Sequence, residues 1–496
     1  MKNPSQKSTD VRPADKTDKA DKASPNTPPR PSRADALLRF LETRITTFKD
    51  QDGLPFVSAP VTGRTIHLEL QSQSFRDYLD RVSYAQTGRV LTEAEKEQVS
   101  GALVGRARYD SPTYPVYLRV APLAGSGLCL DLGTPDGRAV VITAQGWRVV
   151  SDVPVRFRRT PTMQALPIPE RGGTVDDLRP FLRGTEEQFL VLVAFLLAAF
   201  RAQEPHPILE LVGEQGCGKS TVTTVLQRLT DPSSVTKRSQ PKHERDLAIA
   251  ARRSHLLVFD NCAAISDDMS DVFCRLSTGG TFTTRTLYSD TEETALRLGQ
   301  PCILNGIETL ATRPDLLDRC WSLEFARLEH GQRRTESAFW SDFDRAAPRL
   351  LGVILDGLVS AVRYGNTIAL QPTQRLVDVE RWVCAGVAAF GWDPVALQRA
   401  LQLHQMASHA RALEACGSLW EGLKHLKKPW EGTVPELMAA TGQTGSRQRF
   451  GDTLRRFGPN FLAFGVLVKK WRQGGAGTRG YRVTVVSPVS LVGEDD

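Results

Sequence analysis

Residues 213–221 read GEQGCGKST, and the fold turns on how they are read. The apolar run "PILELV" (207–212) precedes them, and "VTTVLQRL" (222–229), which reads as a helix, follows. The spacing G-x-x-x-x-G-K-[ST] in a strand–loop–helix frame predicts a phosphate-binding loop. Its glycines let backbone N–H groups turn inward around a β-phosphate, and the helix N-terminus adds a favourable dipole. Gly213, Glu214, Gln215, Gly216, Cys217, Gly218, Lys219, Ser220 and Thr221 are therefore the expected nucleotide-binding segment. Lys219 is expected to reach the β/γ oxygens of ATP, and the Ser220 hydroxyl to ligate Mg²⁺.

A second stretch completes that reading. "HLLVFDN" (255–261) is a short apolar strand that ends in Asp260 and Asn261. Asp260 falls where a carboxylate holds Mg²⁺ opposite the phosphate loop. Asn261 stands where ATP-hydrolysing enzymes often place Glu; an amide holds water by hydrogen bonds but cannot take its proton. Modest or assembly-gated hydrolysis follows as the expectation.

At 496 residues the chain has room for about three domains. Its 41% hydrophobic and 24% charged content are ordinary for a globular protein. The net charge of +7 is unevenly spread: +4 on residues 1–33, −2 on 34–420, +8 on 421–490 and −3 on the last six. A basic C-terminal module points to a polyanionic partner, most simply DNA. The eight cysteines show no CxxC pair and no zinc spacing, so they read as buried thiols of a reducing cytoplasm. The longest apolar run, Phe189–Phe200, has 12 residues against roughly 20 needed to cross a bilayer, so it predicts a core helix and no membrane span.

The organisation predicted along the chain has seven parts. Residues 1–33, rich in Lys, Asp, Pro and Ser, form a disordered basic tail. Residues 34–173 form an α+β module in which "ALLRFLETRI" and "LTEAEKEQVSGALVGRARY" read as helices and "VYLRVAP", "GLCLDLGT", "GRAVVITAQGWRVV" and "VRFRRT" as strands. Asp131 and Asp136 in it read as turn residues, not a metal site. A helical linker (174–205), a P-loop ATPase core of α/β type (206–330), a helical region (331–412), a basic domain (413–489) and an acidic tail (490–496) follow.

Two segments carry a family resemblance. "LSTGGTFTTRTLYSDTEET" (276–294) and "PCILNGIETLATRPDLLDRCWSLEF" (301–325) resemble the superfamily 3 helicase branch of AAA+ ATPases. They look most like the helicase-like proteins of phages, plasmids and integrative mobile elements, whose corresponding strand also tends to end in Asp-Asn. The resemblance implies that Asn305 is the sensor between Asp260 and the γ-phosphate, orienting water alongside Asn261; a turn-forming Asn before Gly306 is the structural alternative. By the same resemblance Arg319 is an arginine finger for the neighbouring subunit, with Arg313 its competitor and an ion pair to Asp315 or Asp318 the structural alternative. A finger supplied in trans implies a ring, usually a hexamer. "GGTFTTRTLYSD" resembles a pore hairpin, where Arg285 would touch a phosphate backbone, with a sheet-surface ion pair to Asp290 or Glu292 the alternative.

The C-terminal pattern, helix, Gly-rich turn, helix and two strands around a Gly-rich tip, predicts a winged helix. Leu437, Phe450, Leu454, Phe461 and Val466 are its expected core. Arg447, Arg449, Arg455 and Arg456 on the second helix, with Lys469, Lys470, Arg472 and Arg479 on the hairpin, are expected to bind DNA. The expected function is an ATP-driven, helicase-like motor or remodeller in replication or maintenance of a mobile element. The alternative is a DNA-binding ATP switch with slow hydrolysis. A primase or nuclease module lacks a credible set of acids, and the appended winged helix argues against a metabolic kinase.

Overall fold

A computed structural model describes residues 32–285, 293–327, 334–414, 416–472 and 479–486. Both predicted tails lie outside these residues except for Ser32 and Arg33, which belong to a helix. Ser32 caps α1 (Arg33–Glu42) in a reciprocal capping box with Asp35. An antiparallel sheet follows, β1 (Thr46–Lys49), β2 (Pro55–Val61) and β3 (Arg64–Glu69), then α2 (Gln73–Thr87) and α3 (Glu93–Tyr109). The sheet and α2 are additions to the sequence reading; prolines at 55 and 60 interrupt the strand pattern of β2.

The short β4 (Val116–Tyr117) leads into a four-stranded meander: β5 (Val120–Pro122), β6 (Leu128–Asp131), β7 (Ala139–Thr143) and β8 (Gly146–Val150). β9 (Arg156–Phe157) returns to pair with β4. The 34–173 segment does not share one core. Ala34 to Ala107 pack together, whereas Val120, Leu130, Val140 and Trp147 join the central body. Arg119 makes that junction. Its guanidinium is fully buried, donating through Nε to Asp231 Oδ1 (2.9 Å), through Nη1 to the Asp131 carbonyl (3.1 Å) and through Nη2 to the Gln164 carbonyl (3.0 Å). Asp131 itself is buried and ion-paired to Arg159, while Asp136 pairs with Arg138. Both are structural.

The apolar run 189–200 lies in α4 (Glu186–Ala199), buried on every side except its first turn. The central body then runs β10 (Ile208–Val212), α5 (Lys219–Thr230), α6 (Glu244–Arg253), β11 (Leu257–Cys262), α7 (Asp267–Thr278), the hairpin β12 (Gly280–Arg285) and β13 (Glu293–Leu298), β14 (Cys302–Gly306), α8 (Pro314–Leu317) and β15 (Cys320–Glu324). Four strands form a parallel sheet in the order β11-β14-β10-β15. Alternate residues feed two different cores. Leu209, Leu211, Val258 and Ile303 face α4 and α5, and Ile208, Leu257, Phe259 and Leu304 face α6 and α7. A parallel sheet covered on both faces explains why its strands read as continuous apolar runs.

Three helices follow, α9 (Glu336–Tyr364), α10 (Val377–Val387) and α11 (Pro394–Glu414). The last unit contains α12 (Ser418–His425), β16 (Trp430–Thr433), α13 (Val434–Ala440), α14 (Arg447–Ala463), β17 (Val466–Arg472) and β18 (Arg479–Val485), with sheet order β16-β18-β17. All five residues named as its core are buried. No helix of the described residues is long and apolar enough to cross a membrane.

Candidate functional site

The carboxyl ends of β10, β11 and β14 open into one cleft of about 1410 Å³, the position where parallel α/β sheets bind ligands. The 213–218 loop leaves β10 with little room. A Cβ on Gly213 would stand 2.4 Å from the Phe325 carbonyl oxygen, so the loop can turn there only with glycine. Gly218 caps α5 in the left-handed region (φ 91°), which points the first N–H groups of the helix, unpaired within it, toward the cleft. The Lys219 ammonium folds over the loop, donating to the carbonyls of Gly213 (2.6 Å) and Glu214 (3.0 Å). Ser220 lines the same cleft.

Asp260 faces this loop from the end of β11, and its surroundings were not evident from sequence. Asn305 Nδ2 donates to its Oδ1 (3.1 Å), and Lys237 Nζ lies 3.0 Å from its Oδ2. Thr223 of α5 donates to Asn305 Oδ1 (3.0 Å), so Thr223, Asn305, Asp260 and Lys237 form a continuous chain across the cleft floor. Burial pushes the Asp260 carboxyl up, but Lys237 and Asn305 together hold it below the usual carboxylate value. It is ionised at neutral pH. Lys237 reaches it because the Arg238 backbone pairs with the free edge of β11, through Arg238 N to Val258 O and Asp260 N to Arg238 O. No local pattern marks Thr223 or Lys237; a polar residue facing the end of a parallel strand was the only signal available.

Asn305 is 1% exposed and has its oxygen and one N–H committed to protein partners. It positions Asp260. It also lies inside β14, which removes the reading of Asn305-Gly306 as a turn pair. Asn261 has φ 54°, one of three non-glycine residues with positive φ among those described. The pairing of β11 with β14 slips by one residue between Phe259 and Cys262; Asp260 and Asn261 together oppose Asn305. Asn is among the few residues that accept the left-handed conformation such a bulge demands. The amide is thus explained by the backbone before any chemistry is invoked. Asn261→Glu should therefore lower unfolding stability by about 1 kcal/mol while Asn261→Gly does not, measured by urea denaturation.

Arg319 is not a free guanidinium. Its side chain is 10% exposed, and Nη1 is held by the Asp315 carboxylate at 2.8 Å. The ion pair to Asp315, the structural alternative for this residue, is present within the single chain, while its Nε has no hydrogen-bond partner among the described residues. Arg313 is committed to Asp271 (2.8 Å) and the Asp267 carbonyl. β12 and β13 pair as an antiparallel hairpin up to Arg285 opposite Glu293; the hairpin tip and the side chain of Arg285 lie outside the described residues.

In the C-terminal unit, Arg447, Arg449, Arg455, Lys469, Lys470 and Arg472 are exposed. Arg455 pairs within its helix with Asp452. Arg456 departs from expectation: it pairs with Asp267 of α7 (3.1 Å) and donates to Thr312. The C-terminal half of α14 is docked on the central body, where Asn460 also meets His409 of α11 at 3.1 Å. Among the described residues, the N-terminal half of α14 and the β17 strand present exposed basic side chains with no acid of the central body beside them. Across the β17–β18 hairpin Lys469 stands opposite Arg482, which is ion-paired to Glu431 at 2.7 Å, and Arg472 stands opposite Arg479. The wing tip and the Arg479 side chain lie outside the described residues.

Mg²⁺ fits the donor set of the cleft. An ionised carboxylate and a hydroxyl are the oxygen donors it takes beside substrate phosphates, with one or two carboxylates sufficient. No cluster of three or more His, Cys, Asp or Glu suited to a metal occurs among the described residues. The thiols are buried except Cys416, which is partly so, and burial pushes Cys262 and Cys274 up to about 12.

No curated protein matches the chain. Among solved structures, two apo forms of the C-terminal region of NrS-1 align with it at 12% identity and a TM-score of 0.38, covering 91% of this chain and 98% of theirs. A third form of that region aligns at 13% identity with the same score. A likeness this low carries no argument about fold or activity. Residues 178–402 match the model of a family described as an actinomycete integrative conjugative element replication protein. The match takes in the cleft, the parallel sheet and most of the helical region, and this part of the chain is similar to the replication proteins of mobile elements.

Proposed function

We propose that the chain is a DNA-dependent ATPase, helicase-like in its central body, acting in replication of an integrative mobile element. The reading places a P-loop ATPase core of superfamily 3 type over the parallel sheet and a winged helix over the C-terminal unit. The observation that carries it is that Asn305, Asp260 and Lys237 line one cleft with Lys219 and Ser220, with Asn305 held from below by Thr223. In this reading the loop N–H groups and Lys219 hold the triphosphate. Asp260 and Ser220 would hold Mg²⁺, which supplies charge neutralisation on the β- and γ-phosphates when bound. Asn261, exposed beside Asp260, hydrogen-bonds the attacking water, whose proton leaves with the phosphate because an amide cannot accept it. The ring expectation rested on Arg319 acting in trans; with that side chain committed to Asp315, assembly is not part of the proposal.

The test is ATP turnover of the full chain with and without DNA. DNA should raise the rate, and Lys219→Ala should abolish it on both arms. Alanine at Arg447, Arg449 and Lys470 should remove the stimulation, each lost phosphate contact lowering the salt slope of DNA binding by about 1. A second reading, a DNA-binding ATP switch, is favoured by the amide at 261. Tight ATP binding with no turnover on any DNA would select it, and failure to bind ATP at all would discard both.

A further inference from the structure

We propose that Arg183 is a phosphate ligand of the nucleotide, supplied by the same chain that supplies the loop. The proposal rests on the nucleotide reading of the cleft and names a residue that the 213–221 motif does not contain. Arg183 comes from the segment just before α4 and lines the cleft with Lys219 and Ser220. Its side chain lies over the last glycine of the loop. A Cβ built on Gly218 would be 3.0 Å from Arg183 Cδ and 3.7 Å from its Nη1.

Three further facts separate it from an ordinary surface arginine. Its Nη1 is buried and has no hydrogen-bond partner among the described residues; a buried donor left unpaired costs stability. The other arginines lining the cleft are committed, Arg179 to Glu186 and Asp176, and Arg334 to Asp342. The segment after it is anchored: two residues on, Thr185 caps α4 with Gln188, and Gln188 Nε2 donates to the Glu324 carbonyl at the end of β15 (2.6 Å). Arg183 therefore precedes an anchored segment and stands beside Lys219 and the positive end of α5, with donor capacity unspent. Three like-signed features converging on one concave site favour an anion there. A guanidinium offers paired donors that match phosphate oxygens. The chemical class is a nucleoside di- or triphosphate, contacted at the phosphates nearest Gly218.

The test is equilibrium binding of ATP and ADP to the full chain, comparing wild type with Arg183→Ala, Arg183→Lys and Lys219→Ala, beside the melting temperature of each without nucleotide. Arg183→Ala is expected to weaken ATP binding by about 10–100-fold, the scale of a charged hydrogen bond. Arg183→Lys should recover part of it, and the nucleotide-free melting temperature of Arg183→Ala should stay at or above the wild-type value, because the unpaired donor is removed. If Arg183→Ala binds ATP as tightly as wild type while Lys219→Ala does not, this proposal is wrong and the nucleotide site stands. A melting temperature that falls with Arg183→Ala, together with no recovery in Arg183→Lys, makes the residue structural and also overturns it. Absence of binding by wild type would instead remove the nucleotide reading itself.

Discussion

Replacing Arg119 with methionine is expected to lower the free energy of unfolding by about 3–5 kcal/mol, the usual cost of removing one partner from a buried ion pair. The size follows from what is left behind. Asp231, 3% exposed, loses its counter-charge, and the carbonyls of Asp131, Gln164 and Pro232 lose their donor. Lysine cannot substitute, because one ammonium cannot serve acceptors spread over three segments with the planar fork that guanidinium provides. Removing Asp231 as well should restore only part of the loss. Its other oxygen accepts from the backbone N–H groups of His255 (2.8 Å) and Leu256 (3.2 Å) at the entry to β11, and those donors would be orphaned. Asp231 ends α5, the helix that begins at the phosphate loop. The β5–β8 meander is thereby tied through Arg119 to the far end of that helix and to the strand carrying Asp260. Urea denaturation of wild type, the single and the double substitution measures this. A loss under about 1 kcal/mol for Arg119→Met would mean the meander is held by packing alone.

That junction marks the limit of what the sequence discloses. The strand–loop–helix order around 213–221 and the apolar strands at 257 and 302 are short-range patterns, and spacing alone locates them. The core of the C-terminal unit is legible for the same reason. Arg119 reads as one more polar position in a strand, because the four acceptors that bury it are distant in sequence. Lys237 and Arg183 are missed in the same way, since each reaches the cleft from another segment, and Thr223, though on the motif's own helix, looks in sequence like any other polar helical position. The identity of Asn261 is visible in sequence while its cause is not, since a positive φ at a bulge appears only once β11 is paired with β14. Arg319 and Arg456 show the converse. Their positions were legible, but the acids that engage them, Asp315 and Asp267, decide where the guanidinium points.

A large effect on activity is also expected at Asp260, where Asp260→Asn should cut ATP turnover by about 10²–10³-fold, the scale set by loss of one preorganised electrostatic group. Asparagine keeps the size of the side chain but can no longer ion-pair with Lys237 or hold a cation. The neighbouring lysine gives a sharper test, because it acts on the same carboxylate through charge. Burial raises the Asp260 carboxyl, and Lys237 with Asn305 overcomes that to hold it below 3.8. A depressed carboxylate contributes stability that is complete above its unfolded value and lost only as the pH falls through the lower folded one. Asp260 should therefore stay ionised, and turnover should show no acid limb from this group, across the range where the protein is ordinarily assayed. In Lys237→Ala part of the opposing influence is gone while burial remains, so the acid limb of kcat/KM should move to higher pH, whereas Asp260→Asn stays slow at every pH. Lys237 also sits where a cation on Asp260 would be, 3.0 Å from Oδ2, so the same variant should need less Mg²⁺ for half-maximal turnover at neutral pH. An acid limb and a Mg²⁺ requirement both unchanged in Lys237→Ala would show that the lysine is a bystander, and that Asp260 is held down by Asn305 alone.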